Sequence, residues 1–492
     1  MTVRYCLSGL RILFGFLPAI VHVNLCVAAD ALTQLQAGAY AQDITPTKFP
    51  ISVNGSMVDQ QATAAHDPLH ARCIVLKNTK SAKVAEESLA IVVCDSCMIP
   101  RELLDLAKSK AFAKTGIPPN RILISATHAH SCPTVAAVFQ SEPDKEYSDF
   151  LVEQISKGIE QANNQLEPAR IGWGTVHQPS LLFNRRWLIK EDEKPEANPF
   201  GVKSDRVITN PGHSNPKVSK SVNLIDPDLS FISIQSLEGR PIALLANYSL
   251  HYIGGVPGDV VSADYFGEFS QRIARQMKAT DVHPAFVGIM SNGASGDVNN
   301  VDFRQKVAPQ REQFEQIEYA AELLTQSVFQ ACEKIEYVTE VPLRVREAEL
   351  VVGVRKPIAD EISTAEKKLD GQTLPLSGGN LSLIYARETT LLAAYETSVK
   401  LKVQAMRIGS IAIAACPCET FAETGLNIKR ESPVKPTFTI CLANGYNGYL
   451  PPPEQHLAGG YETWRARSSY LAADAEPKIK ATIIRLLREV NR

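Results

Sequence analysis

Short apolar runs along the chain alternate with stretches in which apolar residues recur every three or four positions. The runs have the length of buried strands, whereas the periodic stretches have the spacing of amphipathic helices. Strands are predicted at residues 89–93, 122–126, 171–176, 229–237, 241–248, 284–290, 343–352, 403–415 and 437–442. Helices are predicted at residues 101–114, 147–165, 262–277, 311–335, 384–400 and 470–490. Strands that alternate with helices predict an α/β fold, in which a mixed sheet is flanked by helices.

Two segments interrupt this pattern. Residues 184–226 are polar and contain proline, and a loop of this length in a compact domain is usually functional or disordered. We expect this loop to border the functional site, because it begins with Asn184 and Arg185. Residues 364–381 are polar and contain glycine, which is typical of a lid.

Polar residues follow several of the apolar strands at the point where each strand ends. Open α/β sheets bind ligands beyond the carboxyl ends of their strands, so we expect the catalytic site there. The residues in this position are His128, His251, Asn292, Glu419 and Tyr449. Two imidazoles, a carboxylate and a phenol are a plausible zinc ligand set. Phenolate is an unusual ligand, however, and spacing alone does not select Tyr449 over Tyr446.

The most informative stretch is residues 121–133, in which a buried strand leads into His128-Ala-His130. If the backbone is still extended there, both imidazoles point to the same side, because strand side chains repeat every two residues. They would then be placed to hold a metal, or a metal and a substrate. Alone, a His-X-His pair is weak evidence, since histidine has several ordinary roles.

Each candidate also has a purely structural interpretation. His251 can be a core histidine bonded to the backbone, and Glu419 can be a carboxylate in the first turn of a helix. Tyr449 can be a buried aromatic residue with a satisfied hydroxyl, and Asp297 can cap a turn. Arg185 can be a solvated loop charge. Spacing alone leaves these alternatives open.

The composition is that of an ordinary soluble globular protein. Of 492 residues, 45% are hydrophobic and 21% are charged, and the formal net charge is −2. The chain has no basic excess, which argues against nucleic acid as a partner. Its length allows one large core or two domains, and no shift in composition marks a boundary.

The N-terminus has the pattern of an export signal. Arg4 and Arg11 accompany a mostly apolar run over residues 12–27, and small residues follow up to Ala29. We predict a signal peptide over residues 1–29, with cleavage after Ala29 and export to the periplasm or the medium. A membrane anchor is the alternative, but the run is short and is interrupted by a proline and polar residues.

Eight cysteines remain beyond the predicted cleavage site, and their pairing cannot be deduced from the sequence. Cys94 and Cys97 form a Cys-X-X-Cys pattern, which resembles a zinc or redox motif. Cys94 ends an apolar strand, however, and the chain has no second Cys-X-X-Cys. We therefore interpret the two as small buried thiols, the common state of free cysteine.

Several short motifs carry a family resemblance. They are Asp43-Ile-Thr-Pro46, Thr127-His-Ala-His-Ser131, Phe183-Asn-Arg185, Asn247-Tyr-Ser-Leu-His251, Gly296-Asp-Val298, Glu419-Thr-Phe421 and residues 444–462. In this order they resemble the catalytic domain of the neutral/alkaline non-lysosomal ceramidases. The resemblance extends over nearly the whole of residues 30–492 and implies that these residues form a single ceramidase-like catalytic domain.

The resemblance implies a zinc amidase that splits ceramide into a sphingoid base and a fatty acid. It places the zinc ligands on His128, His251, Glu419 and Tyr449. It places substrate- or oxyanion-contacting groups on His130, Arg185 and Tyr461.

Two features depart from the family pattern. The family's catalytic serine follows Gly-Asp-Val, whereas this chain has Asn299 after Val298, and an amide has no hydroxyl to act as a nucleophile. We include Asn299 among the candidate catalytic residues, because its amide could donate a hydrogen bond to the carbonyl or to water. The chain also ends soon after Tyr461, so we expect the family's C-terminal β-sandwich to be absent.

We predict a zinc-dependent amidohydrolase that cleaves an amide bond of a ceramide-like or other N-acyl substrate with metal-activated water. Zinc, Tyr461 and Arg185 would hold the oxyanion, and His130 would transfer the proton to the leaving amine. A lipid substrate would bring a transient contact with a membrane surface. The alternatives are a zinc hydrolase of an unrelated amide or ester, and a catalytically silent homologue that binds lipid or glycan.

Overall fold

The computed structural model describes residues 1–2, 34–79, 87–222, 224–376 and 379–492. The chain divides into two compact units, Met1–Leu32 and Thr33–Arg492. Apart from residues 1–2, the predicted signal peptide over residues 1–29 lies outside the described residues. The sheets and the candidate site belong to the second unit.

The strands within the described residues follow in chain order. They are β1 (Leu35–Asp43), β2 (Ile51–Val53), β3 (Gln60–Ala62), β4 (Ala64–Ala65), β5 (His70–Asn78), β6 (Ser88–Cys94), β7 (Ile122–Ala126), β8 (Glu167–His177), β9 (Phe183–Asn184), β10 (Arg186–Ile189), β11 (Val207–Thr209), β12 (Val218–Ser221), β13 (Asp228–Ser236), β14 (Pro241–Tyr248), β15 (Val260–Val261), β16 (Val287–Asn292), β17 (Val298–Asn299), β18 (Leu343–Gly353), β19 (Ser398–Ile408), β20 (Ile411–Ala415), β21 (Glu419–Thr420), β22 (Thr437–Ile440) and β23 (Tyr449–Leu450).

The helices of the same part of the chain are α1 (Arg101–Thr115), α2 (Lys145–Asn164), α3 (Asp264–Gln276), α4 (Glu315–Cys332), α5 (Ala359–Leu369), α6 (Leu381–Ala393), α7 (Ala422–Glu431), α8 (Pro453–Ala458) and α9 (Ala475–Asn491). Short 3-10 helices span Pro119–Arg121 and Tyr461–Thr463. Among the helices described, none is long and apolar enough to cross a membrane.

The main sheet has eight strands in the order β16-β14-β13-β8-β1-β5-β6-β7. Neighbouring strands are antiparallel except for β14 with β16 and β6 with β7, which are parallel. The two adjacent strands predicted at residues 229–248 are β13 and β14, which pair with Ser230 opposite Asn247. The predicted fold class, an α/β protein with a mixed sheet and flanking helices, is therefore confirmed.

A second sheet of four strands, β18-β19-β20-β22, packs against the main sheet. The core between the two sheets includes Ile74 and Ile91 from the main sheet and Ile408 and Phe438 from the second. Helices α1 to α4 cover the other face of the main sheet, and α7 and α9 cover the other face of the second. Burial of each large apolar side chain in these cores contributes about 1.5–3 kcal/mol to the stability of the fold. The result is four layers in the order helices, main sheet, second sheet and helices.

The segment after β22 joins the two edges of the main sheet. Strands β7 and β16 are at opposite ends of the strand order, so residues that follow them would lie far apart on a flat sheet. The N–H of Cys441 donates to the carbonyl of Asn292 at the end of β16, and the carbonyl of Leu442 accepts from the N–H of Ala126 at the end of β7. Sheet twist brings the edges towards each other, and this segment hydrogen-bonds to both.

Four predicted segments differ from the structure, and the last of them is the strand predicted at residues 403–415, which is two antiparallel strands, β19 and β20. Residues 184–226 are not one irregular loop, because β10, β11 and β12 within them form a small sheet. The lid predicted at residues 364–381 begins inside α5. The helix predicted at residues 384–400 ends at Ala393, and β19 begins at Ser398. Polar composition was misleading in the first two cases because exposed strands and helices carry polar residues on their solvent faces.

Candidate metal centre

Two histidines that follow strands each have one ring nitrogen fixed by the backbone. His128 follows β7, and its Nδ1 lies 2.8 Å from the carbonyl oxygen of Cys97. His251 follows β14, and its Nδ1 lies 3.0 Å from the carbonyl oxygen of Ser295. A carbonyl only accepts, so in the neutral rings both Nδ1 atoms carry the proton and both Nε2 atoms carry a lone pair. Metal-ligating histidines are held in this way.

The two Nε2 atoms converge with one carboxylate oxygen. The Nε2 of His128 lies 3.0 Å from the Nε2 of His251 and 3.2 Å from the Oε2 of Glu419. This Oε2 lies 3.8 Å from the Nε2 of His251. All three residues are buried. Lone pairs at these separations repel one another unless a proton or a metal ion lies between them.

This arrangement fits a metal ion. The Oε2 of Glu419 is buried and forms no hydrogen bond with any described residue, and such an atom is costly without a charged partner. Burial opposes the charge on His128, but the Glu419 carboxylate and Cys97 outweigh it and raise the pKa of His128 to about 10. The local field therefore favours a cation, and imidazole and carboxylate are donors that zinc accepts.

The backbone of His128 is in the left-handed region, with φ at 71°. The argument that both imidazoles of the His-X-His pair point to the same side assumed an extended backbone at His128, and that assumption is wrong. The imidazoles of His128 and His130 nevertheless meet, with their Nε2 atoms 3.2 Å apart. The turn at His128, which donates its N–H to the carbonyl of Ser96, sets their direction. Such backbone conformations cluster at functional sites.

Two tyrosines contact this centre in different ways. Glu419 and Tyr449 are opposite each other where β21 and β23 pair in parallel. The hydroxyl of Tyr446 donates to the Oε1 of Glu419 at 3.1 Å, whereas the hydroxyl of Tyr449 accepts from the Nη2 of Arg185 at 3.1 Å. Burial and the Glu419 carboxylate raise the pKa of Tyr449 well above its usual range, and Arg185 opposes this shift. Tyr449 is thus the phenol with a cationic neighbour, and Tyr446 orients the carboxylate.

Arg185 belongs to a buried ion network that the sequence analysis missed. Its Nε lies 2.9 Å from the Oε1 of Glu462, and the Nη1 of Arg186 lies 2.6 Å from the Oε2 of the same carboxylate. Burial raises the pKa of Glu462, but the two arginines outweigh it and the net shift is downward. The Nη2 of Arg185 also donates to the carbonyl of Gly296. Two adjacent buried arginines require a carboxylate to balance their charges, but nothing in the sequence indicates which acidic residue supplies it.

The His130 side chain lines the cavity beside the centre. Its ring stacks on Tyr252, with ring centroids 3.8 Å apart. Gly55 lies against the same ring, and a Cβ added at this glycine would be 2.4 Å from the Cγ of His130. The φ of Gly55 is also 108°, a conformation that other residues rarely adopt. A glycine at position 55 is therefore a condition for the placement of His130, which the sequence did not reveal.

Gly55→Ala should displace His130 and lower the turnover of the predicted hydrolysis by about tenfold, with zinc content unchanged. The matched control is Gly116→Ala, because Gly116 also has a positive φ, but an added Cβ there meets nothing within 4 Å. Both substitutions introduce backbone strain of about 1 kcal/mol, and only the first should lower kcat. Equal loss of kcat in both variants would contradict this role for Gly55.

A small cavity of about 20 Å³ lies at the centre. Its lining includes His128, His130, Glu419, Tyr449, Tyr461 and Ser468. The ring of Tyr461 packs edge-on against that of Tyr449, with centroids 5.7 Å apart. The structure thus brings Tyr461 to the same cavity as His128, Glu419 and Tyr449.

Asn299 lies apart from this cavity. Its amide nitrogen donates to the side-chain oxygen of Asn210 at 2.8 Å, and its own oxygen accepts from the N–H of Val301. Among the described residues that line the cavity, Asn299 does not occur. Nearby Asp297 caps helix α7 by accepting the N–H of Ala422. A catalytic role for Asn299 stays a prediction.

The eight cysteines in the described part of the chain are free thiols. Cys94 and Cys97 are buried, in agreement with their interpretation as packed thiols. The Sγ of Cys97 lies 3.8 Å from the Nδ1 of His128, so this residue is nearer the centre than that interpretation implied. Burial raises the pKa of Cys97, which favours the thiol, and it is the thiolate that binds metals.

The fold and the cluster of two histidines and a glutamate define an α/β protein with a candidate metal centre. No protein-family model and no curated protein matches the sequence. A neutral ceramidase from Pseudomonas aeruginosa matches the structure with a TM-score of 0.69 and 18% identity, over 92% of this chain and 74% of that chain. A ceramidase complexed with C2 matches with a TM-score of 0.69 and 17% identity, over 93% and 75% of the two chains.

This chain therefore shares the fold of neutral ceramidase. At these identities the likeness concerns the fold alone. The resemblance predicted from the sequence motifs is confirmed at that level.

Proposed function

We propose that this protein is a zinc-dependent hydrolase that cleaves the amide bond of a ceramide-like or other N-acyl substrate. The observation that carries the proposal is the convergence of two Nε2 atoms on the orphaned Oε2 of Glu419. The shared fold of neutral ceramidase supports the same reaction class. The proposed ligands are His128, His251, Glu419 and Tyr449.

Zinc bound by these residues would lower the pKa of a water molecule from far above the neutral range to about 7. The surrounding groups prepare the site for the ion. The carbonyls of Cys97 and Ser295 fix the imidazole tautomers. Tyr446 occupies one oxygen of Glu419 and leaves the other free. Arg185 stabilises negative charge on the phenol of Tyr449.

Two further residues act on the substrate in this proposal, and a third, Arg185, acts on a ligand. Tyr461 lines the cavity and donates a hydrogen bond to the carbonyl oxygen as negative charge develops there. His130 transfers a proton to the leaving amine, with its ring held by Tyr252. Arg185 is engaged with Glu462, Gly296 and Tyr449, so we assign it mainly to positioning the phenol.

Hydrolysis of a fluorogenic ceramide, beside a panel of simple amides and esters, tests the proposed reaction. We expect cleavage of the ceramide or of another N-acyl amide. Cleavage of esters or unrelated amides only would favour the second reaction class, a zinc hydrolase of another substrate. Absence of all cleavage in zinc-loaded protein would favour a silent homologue that binds lipid or glycan.

Asn299→Ser should change the hydrolysis rate only modestly, by about tenfold, equivalent to about 1.4 kcal/mol in the barrier. The reason is that Asn299 bonds to Asn210 and Val301 and does not line the cavity within the described residues. Asn300→Ser is the neighbouring control and should have no effect on kcat/KM. An inert wild type together with an active Asn299→Ser variant would show that a serine at position 299 is indispensable, and it would contradict the mechanism in which metal-activated water is the nucleophile.

We further propose that residues 1–29 are removed on export and that residues 30–492 form a single catalytic domain. The charged and apolar pattern of the N-terminus supports the first proposal. N-terminal sequencing of the exported protein should give Asp30 as the first residue. Recovery of exported protein that still begins at Met1 would contradict cleavage.

A further inference from the structure

Residues 461–471, here called the Tyr461 segment, form part of the wall of the cavity at the candidate metal centre. The segment begins with the 3-10 helix Tyr461–Thr463, and both Tyr461 and Ser468 line the cavity. The ring of Tyr461 packs edge-on against the rings of Tyr449 and Trp464, with centroids 5.7 Å and 6.1 Å away. Such ring pairs occur over centroid distances of about 4.5–7 Å, so these contacts alone do not fix the ring. The backbone of the segment therefore decides where the Tyr461 hydroxyl lies.

One arginine outside the segment is hydrogen-bonded to both of its ends. Arg355 follows strand β18, and its backbone N–H donates to the carbonyl of Tyr470 at 2.7 Å. In its side chain, Nε donates to the carbonyl of Leu471 at 2.9 Å and Nη1 donates to the carbonyl of Thr463 at 2.8 Å. Nη2 donates to the carbonyl and to the hydroxyl oxygen of Ser469, at 2.6 Å and 2.8 Å. The guanidinium group thus connects the first turn of the segment to its last residues.

Two of these bonds act close to Tyr461. The Thr463 carbonyl belongs to the 3-10 helix that Tyr461 begins. The hydroxyl of Ser469, which accepts from Arg355, donates in turn to the carbonyl of Glu462 at 2.8 Å. Loss of the guanidinium group would therefore release the backbone of the two residues that follow Tyr461.

Arg355 differs from the other buried arginines near the site. Arg185 and Arg186 share the carboxylate of Glu462, whereas the bonds of the Arg355 side chain go to carbonyls and one hydroxyl. Burial and then the neighbouring Arg465 lower the pKa of Arg355 to about 10, as expected for a guanidinium that no carboxylate balances in the described part of the chain. A buried charge without an acid is costly, and only the bonds to the Tyr461 segment offset that cost.

We propose that Arg355 is a positioning residue that holds Tyr461 where its hydroxyl can donate to the carbonyl oxygen of the substrate. This role deepens the proposed function and rests on it. A guanidinium group presents its N–H groups in one plane and in fixed directions, so it sets the positions of several carbonyls at once. The two imidazoles of the centre are oriented by other carbonyls, those of Cys97 and Ser295. Zinc binding should therefore not depend on Arg355.

A second arginine of the same sheet provides a matched control. Arg407 is on β19, and its side chain donates to the carbonyls of Gly409 and Asn491. None of these three residues lines the cavity within the described part of the chain. Arg355→Lys and Arg407→Lys both keep the positive charge, but an ammonium carries all its donors on one atom and cannot bond to several separate carbonyls. Arg355→Gln, which is neutral, is a second variant with the same expected loss.

The kinetic test asks whether Arg355 acts through Tyr461. Arg355→Lys should lower kcat about tenfold, with KM and zinc content unchanged, and Arg407→Lys should match wild type. In the Tyr461→Phe background, Arg355→Lys should lower kcat by less than about twofold, because the hydroxyl that it positions is absent. A tenfold loss in both backgrounds, or loss of zinc from Arg355→Lys, would overturn the proposal. So would full activity in both Arg355→Lys and Arg355→Gln.

A measurement without substrate separates failure of this proposal from failure of the proposed function. Fluorine NMR of protein labelled with meta-fluorotyrosine should show the Tyr461 resonance as the one absent from Tyr461→Phe. This resonance should shift in Arg355→Lys and stay in place in Arg407→Lys. If wild type cleaves no amide, the proposed function fails, and this pattern still supports the positioning of Tyr461 by Arg355. A Tyr461 resonance that is the same in both variants overturns the positioning role even where hydrolysis is observed.

Discussion

His128→Ala should lose bound zinc and lower amide hydrolysis by about a thousandfold or more, equivalent to roughly 4 kcal/mol in the barrier. The Nε2 of His128 is the closest neighbour of both other converging donors, at 3.0 Å from His251 and 3.2 Å from Glu419. Without it, the remaining ligands lose both affinity and the tetrahedral arrangement that zinc prefers. Zinc content and kcat/KM of the purified variant measure the two effects.

Two other histidines provide controls for this result. His177→Ala replaces an exposed histidine and should retain zinc and activity. His130→Ala should retain most of the zinc and lower turnover, because His130 is assigned to substrate and proton transfer. Loss of zinc in His130→Ala, together with its retention in His128→Ala, would show that the two assignments are reversed.

Glu462→Ala should lower the free energy of unfolding by about 3–5 kcal/mol, because it leaves two buried guanidinium groups without their shared carboxylate. Glu462 is fully buried, and its two oxygens contact Arg185 and Arg186 separately. The variant should also lower kcat, since Arg185 holds the hydroxyl of Tyr449. Denaturant titration and kinetics measure the two consequences.

Glu454→Ala is the control for stability, because Glu454 is exposed and its removal should change the free energy of unfolding by less than about 0.5 kcal/mol. Glu462→Gln keeps the shape of the side chain and removes its charge. Its free energy of unfolding should therefore lie between those of Glu462→Ala and Glu454→Ala. A Glu462→Ala variant that unfolds like Glu454→Ala would mean that the buried network does not stabilise the fold.

The order of most long strands and helices could be predicted from the sequence, whereas the short strands and the division of the strands between two sheets could not. Hydrophobic periodicity is a local signal, and it identified β7 and the helix Arg101–Thr115 nearly to their ends. Pairing depends on contacts between distant segments. The bonds from Cys441 and Leu442 to opposite edges of the main sheet leave no local pattern that a sequence argument could use.

The candidate site could likewise be predicted only in part. The polar residues at strand ends were informative, because His128, His251 and Glu419 do converge. Their convergence does not come from neighbouring parallel strands, however, since β7 and β14 lie in opposite halves of the main sheet. The choice between Tyr446 and Tyr449 came from the family resemblance, and the structure now gives the two phenols different partners. The backbone carbonyls that orient the imidazoles could not be predicted, since every residue has one.

The most direct test of the metal centre is to measure zinc content and amide hydrolysis on one preparation of the wild-type protein, before and after chelation. We predict about one zinc per chain, which is the content of a single four-ligand site. We also predict loss of hydrolysis when the zinc is removed and recovery when zinc is returned. Hydrolysis that continues at the full rate in zinc-free protein would contradict the proposed mechanism.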